Sequence, residues 1–393
     1  MKSLLFSILL LINVSFTVQA QNVGNSKCDF GSVKFLSDFP SARLHDCVKK
    51  SGNYYLYFSP ETKPINPSPW YAFKVVSDKK RTINVFLNYT YAKHRYWPKL
   101  SRDGLRWHTL KASKIKKYNK GRKVRLKLAV NEKPLWVSAQ EIFNNRQYAL
   151  WSRYMAQKDF VDLLPLGKSA EGRMIHKLET SGNWGTEKPD TLMLVGRQHP
   201  PEVTGALAMV PYVETLLSDR PLAKRFRDKF RIVIVPNLNP DGVFRGNWRT
   251  NINGVDLNRD WGPFTQPETR LMQIELDRFR EDKEGKLRLM LDFHSTHENL
   301  IYTQSIDDSP KAAKYAIRWH RAIKDRLPDI PFKHDPRHNT KLPTSKGYVY
   351  KTFKIPAITY EMGDESDRGQ VRRLAIVAAE EMMKILLETS ENK

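Results

Sequence analysis

His199 and Glu202 stand three residues apart in VGRQHPPEVTG, separated by Pro200 and Pro201. An imidazole and a carboxylate at that spacing can share a metal ion. The two prolines stiffen the backbone between them, which lowers the cost of ordering the turn. H-x-x-E alone recurs by chance on protein surfaces, so the weight comes from two later segments. LMLDFHS places His294 and AITYE places Glu361, each behind a short apolar run. His199, Glu202 and His294 make a donor set of two imidazoles and one carboxylate, which suits one Zn²⁺ per chain and leaves a coordination position open. Zinc held this way acidifies a water molecule and polarises a carbonyl. Hydrolysis then needs another carboxylate to take the proton and pass it to a leaving amine, and Glu361 is the candidate. A developing oxyanion needs a cationic donor, for which GNWRTNINGVDLNRDW offers Arg249 and Arg259. Asp256 in the same segment can orient a ligand imidazole.

Such a site requires a frame that brings several strand ends together. From residue 144, the apolar runs TLMLVG, RIVIV, RLMLDF and AITY alternate with helical patterns such as GALAMVPYVETLL and RRLAIVAAEEMMKILLE. This predicts an α/β domain over residues 144–390, with a mixed, mostly parallel sheet flanked by helices. Functional residues in such sheets gather beyond the carboxyl ends of strands, where these candidates fall. Residues 21–143 read differently. NYYLYFS, WYAFKVV, TINVFLNYTY and VRLKLAV are rich in β-branched and aromatic residues and are punctuated by proline-rich loops. They predict a small antiparallel β-sandwich domain.

MKSLLFSILLLINVSFTVQA has an early lysine, an apolar stretch and a small-residue end. It predicts a signal peptide over residues 1–20, cleaved after Ala20, and a secreted or periplasmic mature protein. No stable membrane span is expected. In an oxidising compartment Cys28 and Cys47, the only cysteines, are expected to pair. The excess of 66 Lys and Arg over 42 Asp and Glu favours anionic partners without choosing among them. The basic run from Lys93 to Lys127 is read as a solvated face of the sandwich. It lacks a helix-turn-helix, finger or RNA-binding signature, so no specific nucleic acid is expected. HSTHE lacks the H-E-x-x-H spacing, and Ser295 lacks a G-x-S-x-G context.

In their order, RQHPPEVTG, NLNPDGVFRGNWRTNINGVDLNRDW, LDFHS and TYE resemble the motifs of the zinc metallocarboxypeptidase family, with its carboxypeptidase A-like fold. The closer resemblance is to the cytosolic carboxypeptidase branch and its bacterial relatives, which carry a β-sandwich before the catalytic domain. The resemblance implies that His199, Glu202 and His294 bind zinc, that Glu361 is the general base and that Arg249 polarises the scissile carbonyl. It implies that Asn258 and Arg259 hold the substrate's terminal carboxylate and that Asp256 supports the first zinc histidine. Tyr348, in preference to Tyr350, is expected to close over the substrate. Lys346, expected near the floor of the side-chain pocket, would favour acidic terminal residues. The substrates implied are peptide or protein C-termini. Two further readings are an exported amidase or carboxypeptidase of cell-wall peptides, and a catalytically silent carboxypeptidase-fold binding module.

Overall fold

The computed structural model describes residues 28–184, 188–337 and 341–391. The expected signal peptide lies outside the described residues.

Among the described residues the first part of the chain forms ten strands: β1 (Val33–Leu36), β2 (Asp46–Lys50), β3 (Asn53–Phe58), β4 (Ala72–Ser77), β5 (Arg81–Tyr89), β6 (Lys99–Ser101), β7 (His108–Thr109), β8 (Ile115–Tyr118), β9 (Lys123–Val130) and β10 (Leu135–Ser138). They make two five-stranded sheets, β1-β4-β10-β6-β7 and β2-β3-β5-β9-β8. Alternation drives the packing: along β3, Tyr54, Leu56 and Phe58 are buried while their neighbours are half-buried. The pairings are antiparallel except that of β3 with β5, which is parallel. The chain leaves for β4 in the other sheet between these two strands, so it re-enters in the same direction. Cys28 is bonded to Cys47, which ties the start of the described chain to β2.

The second part continues with α1 (Asn145–Met155), β11 (Val161–Lys168), β12 (Met174–Thr180), β13 (Asp190–Gly196), α2 (Val203–Leu216), α3 (Pro221–Arg227), β14 (Phe230–Val235), α4 (Pro240–Arg245), α5 (Pro267–Asp277), β15 (Leu287–Thr296), β16 (Leu300–Tyr302), α6 (Pro310–Arg326), β17 (Lys333–Asp335), α7 (Ser345–Phe353), β18 (Ala357–Gly363) and α8 (Arg368–Glu391). Among the described residues its eight strands form one sheet in the order β11-β12-β14-β13-β15-β18-β16-β17. The central strands β14, β13, β15 and β18 are parallel to one another.

These central strands are apolar on both faces because helices cover both. On β13, Leu192 and Leu194 join the core under α2, α3, α6 and α8, while Met193 and Val195 join the core under α5 and α7. In β15 and β18, His294 pairs in register with Glu361. A candidate ligand and the candidate base therefore sit side by side on neighbouring strands. Among the described residues no helix is long and apolar enough to cross a membrane.

The two parts share buried contacts. Val203 and Trp248 from the second part belong to the sandwich core. The Trp248 indole donates to Trp70 O at 2.9 Å, and Trp70 donates in turn to Ser41 O at 2.8 Å. Burying a large apolar side chain of this kind contributes about 1.5–3 kcal/mol.

Candidate active site

The site lies at the carboxyl ends of β13, β15 and β18. After β13 the chain turns sharply at Arg197, whose φ is 56°. The Arg197 guanidinium holds the turn by donating to Pro200 O (2.8 Å) and Phe143 O (3.1 Å). His199 and Glu202 are thereby delivered just before α2, with Glu202 N donating to His199 O at 3.2 Å. The first turn of α2 presses against the end of β15. A Cβ on Gly205 would fall 2.4 Å from His294 O, so only glycine permits this approach.

The three side chains converge. His199 Nδ1 lies 2.8 Å from Glu202 Oε1, and His294 Nδ1 lies 2.7 Å from Glu202 Oε2. Among the described residues this is the cluster of His, Cys, Asp or Glu whose donor atoms all lie within 4.8 Å of one another, and all three residues are buried. The far nitrogen of each imidazole already faces a carboxylate: His199 Nε2 is 2.9 Å from Asp256 Oδ1, and His294 Nε2 is 2.8 Å from Asp292 Oδ2. That arrangement fixes both rings with Nδ1 turned inward, and it fits a divalent cation of the zinc type.

The electrostatics agree with that fit. Burial works against an ionised Glu202, but the two imidazoles outweigh it and hold its carboxyl well below the usual range. Burial opposes charge on His294, yet Asp292 and Glu202 raise it well above an ordinary histidine. Burial also opposes ionisation of Asp256, and His199 and Arg249 overcome it. Glu361 moves the other way: burial first, then the Glu202 carboxylate, push it up to about 8. Its Oε2 is shut from solvent and accepts no hydrogen bond among the described residues.

The segment after α4 supplies the cations. Arg249 Nε donates to Asp256 Oδ2 at 2.6 Å. Asp256 Oδ1 also accepts from Asn258 N at 3.0 Å, starting the short turn Leu257–Arg259. Asn258 Oδ1 accepts from Ser345 N at 2.9 Å, and its Nδ2 lies 3.3 Å from His294 Nε2. Arg259 donates to Asn258 O at 2.7 Å. Lys346, near the start of α7, donates to Arg337 O (2.6 Å) and Thr303 O (3.2 Å), and burial lowers its ammonium to about 8.

His199, Glu202, His294, Arg249, Asn258, Arg259, Lys346 and Glu361 all line one cavity of about 360 Å³. Asp256 stands behind His199 and Arg249. Tyr348 is not among the lining residues. It lies two positions beyond Lys346 on α7, roughly 200° around the helix axis, where its ring packs on Phe264 and its hydroxyl accepts from Arg280 at 2.8 Å. Tyr350 is also turned away, its hydroxyl donating to Asp308 O at 3.0 Å. The tyrosine that does line the cavity is Tyr302, from β16. Arg337 beside it, and Asn66 and Arg95 from sandwich loops, line it too. No local pattern marks these four residues. Asp292 carried a signal: it lies two residues before His294 on a strand and so shares its face.

A family model described as zinc carboxypeptidase matches residues 148–388. Cytosolic carboxypeptidase 6 of Mus musculus is 28% identical over 181 residues, covering 44% of this chain and 33% of that protein. An uncharacterized protein of Zymomonas mobilis is 30% identical over 219 residues, covering 53% of this chain and 55% of the other. The matched region is thus about half or less of the length of these curated relatives. Among solved structures, a metallo-carboxypeptidase from Burkholderia cenocepacia superposes with a TM-score of 0.77 at 18% identity, over 92% of this chain and 100% of that one. That likeness shows the fold, sandwich and α/β part together.

Proposed function

This chain belongs to the zinc carboxypeptidase family, and on that premise we propose that it hydrolyses the C-terminal peptide bond of peptides or proteins, favouring acidic terminal residues. The observation that carries the reading is the convergence of His199, Glu202 and His294, with Glu361 in register beside His294.

Zinc held by these three residues would supply Lewis acidity to a water and to the scissile carbonyl oxygen. The chain's own groups do the rest. Arg259, with Asn258, receives the substrate's terminal carboxylate and so sets the frame at the last residue. Arg249 is held through Nε by Asp256, and its two Nη groups, which make no hydrogen bond among the described residues, are left for the carbonyl oxygen as negative charge develops there. Glu361 takes the proton from the attacking water and delivers it to the departing amine.

The acidic preference is supported by charge. Arg95, Arg249, Arg259, Arg337 and Lys346 line the cavity against the carboxylates of Glu202 and Glu361. Lys346 makes two hydrogen bonds to carbonyls, which leaves one ammonium N–H for a substrate carboxylate. A binding module without catalysis is disfavoured, because the metal ligands, the base, the carbonyl-polarising arginine and the carboxylate-binding pair line one cavity. We further assign residues 21–143 to a sandwich domain, residues 144–390 to the hydrolase domain, and the protein to an exported address. That address rests on residues 1–20 alone.

The test is mass spectrometry of a peptide pool with free and amidated C-termini, incubated with and without chelator. Chelator-sensitive loss of single C-terminal residues is expected, with Asp or Glu released fastest. Cleavage that persists in chelator would overturn the metal-dependent reading. No release from free termini would overturn the exopeptidase reading.

A further inference from the structure

Trp248, Arg249 and Thr250 point three successive backbone N–H groups at one place, an arrangement that binds an anion. The anion there comes from the sandwich. Glu61, in the loop between β3 and β4, accepts from Trp248 N at Oε2 (2.7 Å). Its Oε1 accepts from Arg249 N (2.8 Å), Thr250 N (2.8 Å) and the Thr250 hydroxyl (3.0 Å). Arg43, also from the sandwich, lies 3.7 Å from Glu61 Oε2 and donates to Asn247 Oδ1 at 3.0 Å. The segment that carries Arg249 is thus held by two charged groups from the other part of the chain, Glu61 on its backbone amides and Arg43 on the Asn247 side chain.

We propose that Glu61 is a positioning residue for hydrolysis, through which the sandwich sets where the Arg249 guanidinium stands. The inference rests on the reading of Arg249 as the group that polarises the carbonyl. Two grips fix this arginine. Asp256 holds its side chain at Nε, and Glu61 holds its backbone. With only the first, the guanidinium would pivot about Asp256, which also backs His199. Glu61 is not needed merely to attach the two parts. Attachment is already provided by Trp248 on Trp70, by the Ser41 hydroxyl on Val243 O, and by the Arg95–Asp364 ion pair at 2.7 Å. The Glu61 acceptors go instead to consecutive amides of the segment that carries Arg249.

The test is a double-mutant cycle in the full chain, using Glu61→Gln, Arg249→Ala and the pair. The readouts are kcat, KM and bound zinc on a peptide with a free acidic C-terminus. Gln keeps the shape but sets an amide NH₂ against a backbone N–H. Arg249→Ala should lower kcat about 10²–10³-fold, the effect of losing one oxyanion donor. Glu61→Gln should lower kcat about 10-fold or more at unchanged zinc content, as a small displacement of a catalytic group does. In the Arg249→Ala background the same change should alter kcat less than about twofold, within the error of additivity. An equal loss in both backgrounds would reduce Glu61 to a general stabiliser and overturn the inference, as would an unchanged kcat in Glu61→Gln. An unchanged kcat in Arg249→Ala would overturn the role of Arg249 itself, which is the separate failure of the underlying reading. If Glu61→Gln does not fold, Thr250→Val exchanges for a methyl the hydroxyl that donates to Glu61 and lies 3.1 Å from Asn251 O, and leaves the Glu61 carboxylate in place. It should then show the same loss of effect in the Arg249→Ala background, with smaller amplitude.

Discussion

His294 faces Asp292 across 2.8 Å, Nε2 to Oδ2, although the two are only two residues apart on one strand. The same carboxylate oxygen accepts from Gln198 Nε2 at 2.5 Å and from the Ser345 hydroxyl, so it is pinned from three sides. Asp292 therefore dictates which nitrogen of His294 can meet a metal. Asp292→Asn should weaken zinc affinity about 10–100-fold, the usual effect of removing such a support. Competition against a chromogenic chelator measures this directly. An unchanged dissociation constant would mean that other contacts orient the ring.

Glu361→Gln should lower kcat by about 10²–10⁴-fold, the range for loss of a positioned base. Zinc content measured by elemental analysis should stay at one per chain, because the ligands are on other residues. Loss of zinc together with activity would move Glu361 from proton transfer to ligation.

Arg259→Ala should raise KM sharply for peptides with free C-terminal carboxylates, by about 10²-fold for a lost charge-assisted pair. Residual cleavage of amidated peptides should be unaffected. Equal effects on both substrates would place Arg259 outside terminal-carboxylate recognition.

Lys346 yields a pH prediction. Burial lowers its ammonium to about 8, so the charge is present below that pH and is lost as pH rises through it. KM for a peptide ending in Glu should therefore rise above pH 8, while KM for one ending in Ala stays flat. Lys346→Met should remove the difference between the two peptides at pH 7. A pH-independent preference for Glu would assign the preference to Arg337 or another fixed cation of the cavity.

Much of this site was legible because its parts obey local rules. His199, Glu202, His294 and Glu361 each follow an apolar run, and a buried parallel sheet gathers such strand ends on one side. The cavity's remaining members obey no local rule. Asn66 and Arg95 reach it from loops of the sandwich, far away in sequence, and only the docking of the two parts puts them there. Tyr348 precedes Glu361 as the resemblance asks, but order along the chain says nothing about helical phase, and α7 turns Lys346 inward and Tyr348 toward Phe264. The parallel pairing of β3 with β5 was hidden for a related reason. Strand patterns report which face is buried, not which neighbour a strand finds after the chain has crossed to another sheet.

The register of β15 and β18 sets a limit on how this chain can vary. Thr359 and Glu361 line the cavity, while Tyr360 and Met362 belong to the core beneath α2, α6 and α8. One residue inserted in β18 ahead of Tyr360 would put that tyrosine opposite His294 and send the Glu361 carboxylate into that core. No exchange of side chains nearby could undo the slip. Descendants of this sequence are thus free to lengthen or shorten their surface loops, but between Ala357 and Glu361 the count of residues is as binding as their identity.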